Sequence, residues 1–234
     1  VSAPALEFAG VTVRYEPAGT PAVADLTFSV AAGERVALIG LNGSGKTTLL
    51  MAAAGLAPHD GRIAVDGEQL APRTLPAIRD RIGVLFNVPE DQLLFPRVID
   101  DVAFGLLRRG EPSAAAAAAA TRTLETLGVA HLADCPLHHL SHGQKLRVAL
   151  AGALIGKPSL LLLDEPSAGL DPLGNRALAS VLCSLPAAMV IATHDLDFAE
   201  RVCTRFLLLD AGRIVVDSAQ AAAIRQRWGM PSSR

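Results

Sequence analysis

The chain has little cysteine, no long basic run and no uninterrupted apolar stretch of membrane length, and each shortage removes a class of protein. Its three cysteines, Cys135, Cys183 and Cys203, lie far apart in 234 residues. An odd, sparse set argues against the disulfide framework of a small secreted domain and for a reducing cytosol. None forms a CxxC pair, so the usual zinc spacing is missing. Lys and Arg total 21 against 23 Asp and Glu, a formal net charge of −2. Without a basic cluster or a basic–aromatic stripe, the electrostatic footprint of a nucleic-acid binder is lacking. No N-terminal segment joins a basic start to an apolar run, so no signal peptide is expected. The most apolar stretch, Val148–Leu163, is interrupted by Lys157-Pro158 and is too short to span a bilayer. It reads as a buried helix, a turn and a buried strand, and any membrane role is expected to come through partners.

What the chain has is apolar residues, half of its length. That is enough for one large domain with a buried core, or a core carrying one subdomain. Leu6–Tyr15 and Asp25–Val30 alternate apolar and polar residues and predict antiparallel strands. Arg35–Ile39 predicts a buried strand, followed by a glycine-rich loop and a helix to about Ala54. Further strands are predicted at Gly61–Asp66, Arg81–Phe86, Leu160–Leu163, Met189–Thr193 and Arg205–Leu209. Arg213–Val216 closes a hairpin after Ala211-Gly212. Helical patterns cover Pro89–Gly128, Gln144–Ile155 and Leu173–Leu185. The alanine run Ala114–Ala120, with Pro112-Ser113 ahead of it, predicts a surface helix. Strands alternating with helices imply an α/β core with a mainly parallel sheet. The helical stretch from about Pro89 to His139 is expected to be an insertion.

Gly40-Leu41-Asn42-Gly43-Ser44-Gly45-Lys46-Thr47 fits GxxxxGK[ST] between a predicted strand and helix. Glycines at these places let backbone N–H groups turn in around phosphate oxygens, and the helix N-terminus adds partial positive charge. Asn42, Gly43, Ser44, Gly45, Lys46, Thr47 and Thr48 are therefore the expected nucleotide cradle. Lys46 is expected to reach the outer phosphates, and the Thr47 hydroxyl to ligate Mg²⁺. Four leucines then run into Asp164-Glu165. A buried strand ending this way delivers two carboxylates beside the phosphate loop. Asp164 is expected to hold Mg²⁺ through water, and Glu165 to polarise the attacking water as general base.

Upstream of that strand stands Leu140-Ser141-His142-Gly143-Gln144, which resembles the LSGGQ signature of ABC ATPases with His142 at its first glycine. With the phosphate loop and Asp164-Glu165, the resemblance runs from residue 6 to residue 217. It implies a P-loop NTPase of the ABC nucleotide-binding type. Such a domain has a mainly parallel core (about residues 1–88 and 144–234), an N-terminal antiparallel β subdomain and a helical subdomain (about 89–143). It also implies that two such subunits close head to tail around two ATP molecules. Ser141, Gly143 and Gln144 would then contact the γ-phosphate held by the other subunit. Ser167-Ala168-Gly169-Leu170-Asp171 resembles the D-loop linking the two sites. His194 resembles the switch histidine at the γ-phosphate, and Tyr15 stands where the family stacks an aromatic ring on adenine.

One position departs from the pattern. In Gly83-Val84-Leu85-Phe86-Asn87-Val88-Pro89 the family carries glutamine where this chain has Asn87. That glutamine touches Mg²⁺ and couples the site to the membrane partner. Asparagine keeps the amide, but its reach is shorter by on the order of 1 Å.

A single cassette with no long coiled coil separates the chain from translation and DNA-repair relatives. Pro89-Glu90-Asp91-Gln92-Leu93 and Asp101-Val102-Ala103-Phe104-Gly105 resemble the energy-coupling-factor importers. The stretch from His138 to Gly152 is most similar to their cobalt and nickel members. The resemblance implies ATP and Mg²⁺ as ligands, a second ATPase subunit (a homodimer), and transmembrane coupling and substrate-binding partners. It places the chain peripherally on the cytoplasmic side of the membrane. Two other readings stay open: a vitamin importer, for example of biotin, and an ATP-dependent regulatory switch with little turnover. The C-terminal extension of longer members of the group is not expected here. His138, His139 and His142, and the pair His131 and Cys135 at helical spacing, are expected to hydrogen-bond rather than to hold a metal.

Overall fold

The computed structural model describes residues 3–16 and 19–228; the ends of the expected domain lie outside them. Two sheets organise these residues. In the first, β1 (Leu6–Val13) runs antiparallel between β2 (Val23–Val30) and β4 (Asp60–Val65), and the short β5 (Glu68–Gln69) lies at the edge beside β4. Phe8 faces Phe28 across the β1–β2 ladder with ring centroids 4.7 Å apart, a cross-strand pair on the buried face.

The second sheet has the order β10-β9-β3-β8-β7-β6. Its strands are β3 (Arg35–Ile39), β6 (Ile82–Leu85), β7 (Leu160–Asp164), β8 (Ala188–Thr193), β9 (Arg205–Asp210) and β10 (Arg213–Ser218). All pair in parallel except the β9–β10 hairpin. Continuous apolar runs mark strands buried on both faces, and β7 shows why. Leu161 and Leu163 belong to one core, shared with the helices; Leu160 and Leu162 belong to another, shared with the antiparallel sheet. Ala37 and Ile39 split from Val36 and Leu38 in the same way. The sheet is thus a partition between two hydrophobic cores. Burying one such leucine contributes on the order of 1.5–3 kcal/mol.

Eight α-helices complete the chain among the described residues: α1 (Lys46–Ala53), α2 (Leu75–Arg79), α3 (Val98–Arg108), α4 (Ser113–Thr126), α5 (His142–Leu154), α6 (Pro172–Ser184), α7 (Leu196–Val202) and α8 (Ala221–Trp228). Helix α4 starts at Ser113, as Pro112-Ser113 predicts. It is not wholly a surface helix, however: Ala116, Ala120 and Leu124 form a fully buried stripe, at the spacing that puts residues on one helix face. The expected Pro89–Gly128 helical stretch resolves into a 3-10 turn at Pro89–Asp91 followed by α3 and α4. Helix α5 begins two residues earlier than its apolar pattern suggests, because Ser141 and Gln144 cap it reciprocally. Strand β1 ends at Val13, short of Tyr15.

Four short elements escape the sequence reading: β5, α2, α7 and α8. Helices α2 and α7 have five and seven residues, too few to show a helical period. No helix of the described residues is long and apolar enough to cross a membrane.

Candidate functional site

Parallel strands end at a common edge, and ligands of α/β sheets bind outside those carboxyl ends. Here β8 lies between β3 and β7, with Ile39 paired to Thr193 and Asp164 to Ala192. The sheet register thus brings the loop after Ile39, the carboxylates at 164–165 and the residues after Thr193 to one place.

The phosphate loop follows β3. Gly43 and Gly45 hold φ of 80° and 105°, the left-handed region that only glycine enters without cost. Close approach adds a second reason at Gly45, where a Cβ would sit 2.4 Å from Ala22 O. Helix α1 opens at Lys46, so its free N–H groups face the loop. Lys46 Nζ donates to Gly40 O at 2.8 Å and Leu41 O at 3.3 Å, and stands 3.9 Å from Glu165 Oε1. Ser44 Oγ is buried and has no hydrogen-bond partner among the described residues, an orphaned polar group inside the phosphate cradle.

Thr47 Oγ1 donates to Asp164 Oδ2 at 2.6 Å. Burial of Asp164 pushes its carboxyl above the ordinary range. The Thr47 hydrogen bond opposes this, nearby Glu165 adds to it, and Lys46 opposes it. Glu165 adopts φ 49°, a left-handed conformation that costs a non-glycine residue about 1–2 kcal/mol. Its N–H is anchored on Ala192 O at 2.8 Å. Glu165 Oε2 accepts from Thr193 Oγ1 at 2.9 Å, and His194 Nδ1 lies 2.9 Å from Oε1. A carboxylate only accepts, so Nδ1 carries the proton in that contact.

A cleft of about 300 Å³ collects Asn42, Gly43, Ser44, Gly45, Lys46, Thr47 and Thr48 with Asn87, Asp164 and Glu165. His194 joins through Glu165. Tyr15 joins through Thr48: its hydroxyl and Thr48 Oγ1 share a hydrogen bond at 2.9 Å while the residue stays 65 % exposed. Ser141, Gly143 and Gln144 lie outside the cleft, in the first turn of α5 or just before it. The Ser141 N–H donates to Gln144 Oε1 at 2.8 Å, so that side chain serves the cap.

Sequence reasoning missed Thr193, which is fully buried and orients Glu165. It also missed Gln92, which accepts from Phe86 N at 2.7 Å and donates to Val84 O at 3.0 Å. Gln92 thereby pins the turn after Asn87 to the end of β6. Its only sequence signal was membership of Pro89–Leu93. His131, His138, His139 and His142 do not line the cleft, and the His138 and His139 rings meet edge to face at 4.2 Å. His131 lies in a 3-10 turn that ends before Cys135, so the two do not share a helix. Among the described residues no group of three or more His, Cys, Asp or Glu could hold a metal ion.

The residues fit a nucleotide with Mg²⁺. An inward-turned loop, a buried ammonium and an orphaned hydroxyl suit phosphate oxygens. Thr47 Oγ1 and Asp164 Oδ2 offer two converging oxygens, the donor type a hard dication takes. A carboxylate strained by desolvation is relieved by such a cation.

Fold and site together define a nucleoside triphosphatase of the phosphate-loop class, and comparison narrows the class. The family model "ABC transporter" matches residues 23–168. A provisionally named ABC transporter ATP-binding protein of Streptomyces coelicolor is 44 % identical, over 94 % of this chain and 84 % of its own length. The "Cobalt import ATP-binding protein CbiO" of Rhodobacter capsulatus is 40 % identical over 90 % of this chain and 78 % of its own. Among solved structures, cbiO1 of Clostridium perfringens, described as part of the ABC transporter complex cbiONQ, superposes with a TM-score of 0.85 at 32 % identity. That match covers 96 % of this chain and 92 % of the other. The chain belongs to the ABC transporter ATPase family and is an ATP-hydrolysing enzyme.

Proposed function

We propose that this chain is the ATPase subunit of an energy-coupling-factor importer that drives uptake of cobalt or nickel ions. In this reading it works as a dimer on the cytoplasmic side of the membrane, bound to a transmembrane coupling protein and a substrate-binding membrane protein. The observation that carries the reading is the convergence of Lys46, Thr47, Asp164, Glu165, Thr193 and His194 on one sheet edge, in a chain whose relatives include the Rhodobacter cobalt importer subunit.

Each residue then has a role. Asn42 to Gly45 wrap the phosphates with backbone N–H groups, Lys46 neutralises the outer phosphate charge, and Tyr15 stacks on adenine. Thr47, Asp164 and Asn87 hold Mg²⁺, directly or through water. When bound, Mg²⁺ supplies neutralisation of charge on the transferring phosphoryl group. Glu165 accepts the proton of the attacking water, and Thr193 and His194 hold its carboxylate in place. Such positioning is most of what phosphoryl transfer asks of a protein. Ser141 and Gly143 serve the nucleotide of the second subunit. The division into a core (about residues 1–88 and 144–234) and a helical part (about 89–143) puts Ser141 at the junction between them.

A groove of about 240 Å³ between β6, α3 and α5, bordered by Val84, Gln92, Phe104 and Arg108, supports docking of the membrane partner beside Asn87. The test is ATP-dependent uptake of radiolabelled cobalt and nickel by vesicles holding the complex purified with this chain. Uptake abolished by Glu165→Gln is expected. Uptake of a vitamin instead overturns the substrate, and ATP binding without turnover in the assembled complex overturns the transport reading.

A further inference from the structure

His142 is where the signature carries a bulky side chain in place of the family's glycine, and it does not line the ATP cleft. Its ring lies on the D-loop. A Cβ added at Gly169 would come within 2.8 Å of His142 Cδ2 and 3.3 Å of Nε2. Gly169 holds φ 71°, so glycine there serves both a left-handed backbone and the ring above it. The contact continues at the next residues: a Cβ on Gly143 would stand 3.1 Å from Leu170 Cδ2. On its other side, His142 Nδ1 is 3.8 Å from Glu90 Oε1, the oxygen that Lys145 Nζ meets at 3.1 Å. Glu90 lies in the Pro89–Asp91 turn just after Asn87, and Gln92 ties that turn to β6. Two segments far apart in sequence, the Glu90 turn and the D-loop, therefore meet on the first turn of α5.

We propose that His142 is a positioning residue that clamps the D-loop at Gly169-Leu170 and, with Lys145, holds the Glu90 turn, so that movement of the Asn87 loop is delivered to Ser141 of the same chain. The delivery half rests on the reading of Ser141 as serving the second subunit's nucleotide. The route is short, because Ser141 caps the helix whose first residue is His142. The contact with Glu90 is exposed, with the His142 and Glu90 side chains 44 % and 42 % accessible. Contacts of that kind bias a population by about two- to fivefold rather than lock it. That strength suits a joint which must reset in every catalytic cycle.

Amide hydrogen exchange on the full chain without nucleotide tests the clamp by itself. His142→Ala should raise exchange by about two- to fivefold in both segments 88–93 and 166–171. His142→Phe, which keeps a ring and loses the nitrogen, should restore protection at 166–171 only, and Glu90→Gln should loosen 88–93 only. Unchanged protection at 166–171 in His142→Ala, or equal losses in the Phe and Ala variants, overturns the clamp. Delivery is read in a Glu165→Gln background as the affinity of the ATP-dependent dimer, which His142→Ala should weaken by a similar factor. A dimer of unchanged affinity overturns delivery. A Glu165→Gln chain that stays monomeric with ATP overturns the two-subunit reading and with it delivery, while exchange still decides the clamp.

Discussion

Glu165 and His194 form one hydrogen-bonded unit: Oε1 and Nδ1 are 2.9 Å apart, while the other carboxylate oxygen takes the Thr193 hydroxyl, also at 2.9 Å. With both oxygens engaged and φ at 49°, Glu165 has one orientation toward the phosphate loop. Glu165→Gln keeps the shape and removes the base. Turnover should fall by roughly 10²–10⁴ while ATP binding persists, and an ATP-bound dimer should accumulate on size-exclusion chromatography. Unaltered steady-state turnover would refute the general-base role.

Thr193→Val tests the buried hydroxyl. It conserves shape but removes the donor to Glu165 and the acceptor for Asp195 N, which lies 3.0 Å from Oγ1. Leaving such groups unpaired costs about 1–3 kcal/mol. Chemical denaturation should show that loss, and turnover should fall with little change in ATP affinity. Thr193→Ser should recover most of both.

Asn87→Gln restores the family's residue. Asn87 lines the cleft beside Asp164 and is exposed, so one added methylene meets no packed wall. ATPase activity should be equal or higher, measured at several Mg²⁺ concentrations. A large loss would show that the shorter amide is matched to this site.

Asp164→Asn should separate stability from function. The carboxylate is 2 % exposed, and its desolvation is only partly offset by Thr47 and Lys46. The amide removes the buried charge, so the nucleotide-free chain should unfold at equal or higher denaturant concentration. Mg²⁺-dependent ATP hydrolysis should be lost. A clearly less stable Asn variant contradicts this balance.

Acid sensitivity should reside partly in the β9–β10 hairpin. Arg205 Nη2 donates to Asp217 Oδ2 at 2.6 Å, and Arg205 also reaches Ser29 O and Glu34. The guanidinium holds the Asp217 carboxyl below its ordinary value. A depressed folded-state value means that this stabilisation is complete above the unfolded pKa, about 3.9, and is lost as pH falls through the folded one. The pair is partly exposed, so the effect should be about 1 kcal/mol or less. Asp217→Asn should lower stability at pH 7 and flatten the decline below pH about 4 in thermal melts.

The phosphate loop, the Asp164-Glu165 strand end and the signature were legible because each is a short run of adjacent residues in a local context. Strands β3, β7, β8 and β9 were legible because burial on both faces makes an unbroken apolar run. The alanine run specifies a helix but not its buried stripe: Ala116 and Ala120 are like their exposed neighbours in composition, and only the packing of α3 and α5 selects one face. Helices α2 and α7 were too short to show a period. Thr193 looked like the last residue of a strand, since nothing local distinguishes a hydroxyl that meets a carboxylate 28 positions earlier.

The sequence by itself determined the local chemistry: a strand–glycine loop–helix unit that turns N–H groups toward phosphate, a pair of carboxylates at the end of a buried strand, and a serine-capped helix. Tertiary structure decided which of these groups meet. Insertion of β8 between β3 and β7 places Thr193 and His194 on Glu165. Approach of the D-loop and the Glu90 turn to α5 converts His142 from an odd residue in a motif into a contact that joins two loops to one helix. The division is physical: dihedral preference and capping act over a few residues, whereas sheet order and loop packing follow from how two hydrophobic cores share one sheet.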